Sequence, residues 1–281
     1  MCDDRTDQDL GRRELGIIAA SIVLATAFPA NAAALGVMEH NTVIATADGS
    51  ADAYFVAPAK GRHPAVLIWP DIYGLRPAFQ TMAKRLAESG YAVLVVNPFY
   101  RSVPAPIFAP NAPFDAALRA KVQPMRALLT PDAIARDAKS FIAYLDAQKS
   151  VDRKRKVGTM GYCMGGALTF RTAAAVPSRV GACASFHGGG LVTAEPDSPH
   201  LLIPATNAKY LIAIADNDDK QSPDDKVHLR TVFDAASVSA EIAVYAGAMH
   251  GWCVIDSQAY NQPQAEIAWD RTLALFRTAL Q

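Results

Sequence analysis

The sequence predicts an α/β fold in which a mostly parallel central sheet carries helices on both faces. Three observations lead there. Wholly apolar runs of strand length recur along the chain and alternate with longer segments of helical periodicity, the pattern of strands covered on both sides. One of these runs enters a glycine-rich turn and leaves it as a helix. The polar residues that stand out chemically lie just past the ends of the runs, where ligands gather in open α/β sheets.

Taken in order, Glu39–Thr46 and Ala53–Ala57, separated by the turn pair Asp48-Gly49, read as an opening hairpin at a sheet edge. Pro64–Trp69 and Tyr91–Val96 are buried strands, and the periodic stretch Ala78–Ser89 between them, stopped by Gly90, is a helix. Asp132–Gln148 is a second long amphipathic helix. Val157–Tyr162, Val180–Phe186, Lys209–Ala215 and Ala240–Tyr245 complete the strands. Helices follow at Ala167–Ala175, Asp224–Ala236 and Gln264–Leu280. The stretch from Arg101 to Pro131, with six prolines, breaks the pattern, and its two readings are a lid over the site and a variable surface loop.

Of the 281 residues, 51% are hydrophobic and 19% charged, enough apolar material for a large core. Lys plus Arg and Asp plus Glu each number 27, so no basic excess suggests a nucleic-acid surface. The N-terminus reads as an export signal over residues 1–32: Arg12-Arg13, the apolar run Gly16–Phe28 and the small-x-small triplet Ala30-Asn31-Ala32. The arginine pair resembles a bacterial twin-arginine signal, an address and not an anchor. The run is short for a membrane span of about 20 residues. The expectation is a periplasmic or secreted protein, without stable membrane insertion, whose single catalytic domain covers residues 33–281. Cys163, Cys183 and Cys253 then remain, an odd number in an oxidising compartment, so at least one thiol is free.

Gly161-Tyr162-Cys163-Met164-Gly165-Gly166 has the strand–turn–helix context of a nucleophile elbow, with Cys as the nucleophile. Small neighbours let strand and helix approach, and the helix N-terminus favours a thiolate or an oxyanion. A glycine-rich turn holding an inert Cys is the plainer alternative, but partners lie downstream. Asp218 follows one strand, with Asp216 and Asp219 beside it and Asp218 preferred; His250 follows the last, in Met249-His250-Gly251. Nucleophile, acid, histidine is the chain order of an α/β-hydrolase. The first buried strand ends in Pro70-Asp71-Ile72-Tyr73-Gly74, where the Ile72 N–H is expected to join that of Met164 as an oxyanion hole. The next ends in Phe99-Tyr100-Arg101, where Arg101 suits an anionic group.

The elbow, Asp71–Leu75, Phe99–Arg101, Asn217-Asp218 and His250-Gly251 together resemble the dienelactone hydrolase family, from about Val43 to the C-terminus. The resemblance implies an α/β-hydrolase fold, a Cys163–His250–Asp218 triad and activity on a dienelactone (carboxymethylenebutenolide), opening the ring to maleylacetate. It also implies that Asp71 occupies the place of a glutamate that helps deprotonate the thiol, and that Arg101 matches an arginine gripping the substrate carboxylate. A second such arginine has its place at Val254 here. Trp252 and His187 are candidates to line the pocket, and packing roles serve them equally well. Cys253 reads as an apolar filler.

The reading is an exported carboxylic ester or lactone hydrolase acting through an acyl-enzyme on a small-molecule substrate, with no metal or organic cofactor implied. The sequence leaves the oligomeric state open and is compatible with a monomer. A non-catalytic α/β-hydrolase-like binding protein is the rival from another class, and thioesterase or acyl-transfer activity uses the same three residues.

Overall fold

The computed structural model of the chain describes residues 34–109 and 112–281. Its strands are β1 (Val37–Thr46), β2 (Gly49–Pro58), β3 (Ala65–Trp69), β4 (Ala92–Val96), β5 (Val157–Tyr162), β6 (Val180–Phe186), β7 (Lys209–Ala215) and β8 (Ala240–Tyr245). They form one sheet in the order β1-β2-β4-β3-β5-β6-β7-β8. The β1–β2 and β2–β4 pairs are antiparallel and the remainder parallel, as the sequence predicted. Strands β3 to β6 are buried along their whole length, which is why their sequences are continuous apolar runs and not alternating ones.

The helices are α1 (Pro77–Glu88), α2 (Ala116–Ala127), α3 (Pro131–Ala147), α4 (Met164–Ala175), α5 (Asp216–Gln221), α6 (Asp225–Ala236) and α7 (Gln262–Ala279), and α1, α3, α4, α6 and α7 cover the two faces of the sheet. The period of two along each strand divides the core. Val66 and Ile68 of β3 face a cluster built on Phe79 and Leu86 of α1 and Phe276 of α7. Leu67 and Trp69 face the opposite cluster, with Phe141 of α3, Phe170 of α4 and Phe233 of α6. Residues 34–281 form one compact unit. The expected export signal, residues 1–32, lies outside the described residues. No helix among the described residues is long and apolar enough to cross a membrane.

Three elements differ from the sequence expectation. The proline-rich segment is a structured cap and not a bare loop: Asp115 caps α2 by accepting a hydrogen bond from the Leu118 N–H (2.9 Å), and the helix runs through Pro124. Leu118, Val122 and Met125, on one helical face, pack against Phe99, Ile107 and Met164. Helix α4 starts at Met164, directly after the Cys, instead of at Ala167. The acidic run after β7 is the short helix α5, in whose first turn Asp216, Asp218 and Asp219 meet the positive end of the dipole.

Register brings the site loops together. Trp69 pairs with Gly161 and Tyr162 with Phe186, so Pro70–Ile72, Cys163 and His187 leave the sheet side by side. Ala215 pairs with Tyr245, which sets the α5 turn beside the loop carrying His250.

Candidate active site

Cys163 is the N-cap of α4 and holds φ 54°, ψ −119°, a conformation that costs a non-glycine residue roughly 1–3 kcal/mol. The surroundings impose it. A Cβ on Gly161 would lie 2.0 Å from the Gly165 carbonyl oxygen, and one on Gly165 would lie 2.3 Å from that of Trp69. Strand, helix and neighbouring loop therefore meet backbone to backbone. The next loop clamps the strained residue from its other side. The Cys163 N–H is shared between Phe186 O and the Nδ1 of His187, both at 3.1 Å, and Cys163 O accepts from Gly166 N (3.0 Å) and Gly189 N (3.2 Å).

All three described cysteines are free. Cys183 and Cys253 are buried, and burial pushes both thiols up, away from reactivity. Cys163 is only partly buried.

His250 meets a carboxylate directly and is close enough to Cys163 for that residue to act on its charge. Its backbone N–H donates to Asn217 Oδ1 (2.8 Å), which fixes the loop, and its Nδ1 lies 2.7 Å from Asp218 Oδ2. Asp219 is engaged instead by Lys226 (2.6 Å) and Asp216 by Lys220 (2.9 Å), so among the three acids Asp218 is the one on the imidazole. Burial works against charge on His250, but hydrogen bonds to Asp218 and Cys163 outweigh it and raise the ring to about 10. A ring that holds its proton at neutral pH, bonded to a carboxylate and close to Cys163, can steady a thiolate and then serve as an acid.

The N–H groups of Met164 and Ile72 donate to nothing among the described residues. The Gly165 backbone packed on Trp69 and Pro70 sets the start of α4 against the strand end that leads into Ile72. Two unclaimed donors at adjoining backbone turns beside the sulfur suit a developing oxyanion.

Asp71, Arg101, Tyr100, Trp252 and His187 each have partners within the protein. Asp71 does not reach toward the thiol: Arg76 takes both its carboxylate oxygens, at 2.7 and 2.9 Å, and the Tyr73 N–H adds a third bond. Arg101 is spent on Asp137 (2.7 and 2.9 Å) and Asp48 (2.6 Å), and Tyr100 donates to the same Asp137 at 2.6 Å. The physical reason is Asp137, wholly buried inside α3, which needs these donors to remain in the core. Trp252 is fully buried against His187 and Tyr245, a packing position. His187 carries more than a pocket wall. It is itself at φ 40°, it is buried, and its ring lies against that of His250 with centroids 4.8 Å apart. Burial first, and the neighbouring His250, push its ring well below the usual histidine range, so it stays the neutral acceptor that the Cys163 N–H needs. Only the contact order reveals this role; Phe186-His187-Gly188 reads in sequence as a turn.

Among the described residues no group of three or more His, Cys, Asp or Glu side chains is arranged to hold a metal ion.

Residues 51–280 match the model of the dienelactone hydrolase family. The chain belongs to that family. It is accordingly a carboxylic ester hydrolase by kinship. The carboxymethylenebutenolidase of a Pseudomonas species is 31% identical over 150 residues, covering 53% of this chain and 60% of its own. That of Rhodococcus opacus is 26% identical, covering 78% of this chain and 83% of its own. A dienelactone hydrolase-like promiscuous phosphotriesterase from metagenomic libraries superposes with a TM-score of 0.69 at 20% identity, over 87% of this chain and 99% of its own, a likeness of fold. This dienelactone hydrolase family member thus keeps the family's α/β-hydrolase sheet and places Cys163 at its elbow.

Proposed function

We propose that the protein hydrolyses esters or lactones through an acyl-enzyme on Cys163, with His250 as proton carrier and Asp218 as its orienting acid. The observation that carries the reading is the His250 ring, bonded to Asp218 at 2.7 Å and raised by Asp218 and the neighbouring Cys163, together with a Cys163 held in strained elbow geometry. In this mechanism the Cys163 sulfur attacks as the thiolate, with its proton on His250. The carbonyl oxygen becomes an oxyanion held by the Met164 and Ile72 N–H groups, donors worth roughly 10²–10³ in rate each. As the tetrahedral centre collapses, the C–O bond breaks and His250 gives its proton to the departing alkoxide, leaving a thioester. Water then attacks the thioester while His250 takes a proton from it, and the acid leaves as the sulfur is expelled. In a lactone the departing alkoxide stays tethered, so one hydroxy acid is the product. A carboxymethylenebutenolide is the substrate that the relatives' names point to.

The test is a panel of lactones, simple esters and thioesters with wild type and Cys163→Ala. The expected result is a loss of at least about 10³-fold in kcat for the variant, and a mass increase of one acyl group on the quenched wild type that the variant lacks. Full esterase activity in Cys163→Ala would end the proposal. Thioester turnover exceeding that of every oxygen ester would move it to a thioesterase. We further propose that the chain is exported through its Arg12-Arg13 signal. N-terminal sequencing of protein from the periplasmic fraction is expected to begin near Ala33; a start at Met1 would overturn cleavage of the signal, and absence of the protein from that fraction would overturn export.

A further inference from the structure

The wall beside the two proposed oxyanion donors is apolar. Met164 is buried in a cluster with Phe99, Ile107, Leu118, Val122 and Met125, and Ile72, Tyr73 and Phe108 pack against the same cluster. The Tyr73 ring meets Phe108 at 5.8 Å and Phe114 at 6.4 Å, so the cap closes on the oxyanion loop with aromatic faces. Cations adjoining this wall are already engaged. Arg76 spends Nε, Nη1 and Nη2 on two carboxylates, Asp71 at 2.7 and 2.9 Å and Asp256 at 2.8 and 2.8 Å. Arg101 is held by Asp137 and Asp48. Position 254, in the loop of His250, is a fully buried Val. Two exposed cations of the cap lie over its aromatic rings: Lys121, which donates to Ile107 O, on Phe108, and Arg119 on Phe114.

We propose that the site selects uncharged, apolar esters or lactones and discriminates against substrates with a free carboxylate, with Tyr73 and Phe108 as its specificity-determining surface. The proposal rests on the hydrolase reading given above and narrows its substrate class. A carboxylate brought against Met164, Ile72 and Tyr73 loses hydration, and the guanidinium beside it, Arg76 at 5.3 Å from the Tyr73 ring centroid, is already held by Asp71 and Asp256. Drawing Arg76 to it strips Asp71, which is 8% exposed, of its charge partner. Lys121 and Arg119 face solvent, where an ion pair is screened and weak. The relatives' name, carboxymethylenebutenolidase, describes a lactone that bears a carboxyl group, so this chain departs from them in the charge of what it accepts.

A matched pair separates the possibilities: p-nitrophenyl hexanoate and the mono-p-nitrophenyl ester of adipic acid, equal in chain length and leaving group, differing in one terminal carboxylate. The expected result is a kcat/KM for the uncharged ester at least about tenfold higher. The partly buried Phe108 is then truncated: Phe108→Ala is expected to lower kcat/KM several-fold for the hexanoate and little for the adipate. Equal or better turnover of the adipate by wild type overturns the proposal and leaves the hydrolase reading standing. Equal losses on both esters in Phe108→Ala remove the aromatic wall as the specificity surface. Turnover of neither ester, nor of any lactone or thioester in the panel, overturns the hydrolase reading itself, and this proposal with it.

Discussion

His250 is the residue on which the pH behaviour of this protein turns. Burial alone would discharge it, but Asp218 and Cys163 raise it to about 10 in the folded chain, against an ordinary value near 6.5. The sign follows from linkage. A folded-state value above the unfolded one means that the folded chain holds a proton the unfolded chain has lost. The stabilisation is complete below pH 6.5 and disappears as pH rises toward about 10. Urea midpoints measured from pH 6.5 to 10 are therefore expected to fall more steeply for wild type than for His250→Gln; parallel curves would contradict the assignment. Hydrolysis should likewise keep its acid until near pH 10 and decline beyond it. His187 beside it has the opposite character: neutral, buried, and accepting from the Cys163 N–H. The residue types Cys163, Asp218 and His250 and their order were legible in sequence because the chemistry restricts the choice to few side chains. The partners of Asp71 and Arg101 were not, because ion pairing depends on which carboxylate lies nearest in space. Asp137, 36 residues from Arg101, had no feature in the sequence marking it as buried.

Among the elements, the elbow of β5 and α4 is the most constrained. A methyl group on Gly161 would sit 2.0 Å from the Gly165 carbonyl, and backbone cannot yield as a flexible side chain would. Gly161→Ala is expected to cost about 3 kcal/mol and to abolish hydrolysis by displacing Cys163, read as a lowered urea midpoint together with lost turnover. A variant as stable and active as wild type would show that strand and helix can part here. The strands were plain in the sequence because burial on both faces leaves a continuous apolar run. Helix α2 was hidden because Pro124 within it, and the prolines on either side of it, read as breaks. Its Asp115 cap and its buried Leu118, Val122 and Met125 belong to the cap's packing on Met164, a contact no local pattern announces.

At the scale of the whole molecule, the sheet divides the interior into two clusters. Phe141 lies in one, under α3, and Phe276 in the other, under α7. Phe141→Leu and Phe276→Leu are each expected to cost about 1 kcal/mol. Because the residues lie on opposite faces with no shared side-chain partner, the double variant should show their sum within about 0.5 kcal/mol. A larger deviation in denaturant unfolding would mean that the sheet transmits strain between its faces. By itself the sequence determined an α/β chain, its strand order in time, the elbow and the identity of the groups that could react, since periodicity and residue chemistry are local properties. Only the tertiary structure decided which of those groups meet. Parallel register lines up the ends of β3, β5, β6, β7 and β8, and proximity in space then assigns Asp218 to His250, Arg76 to Asp71 and the aromatic cap to the loop of Ile72 and Tyr73.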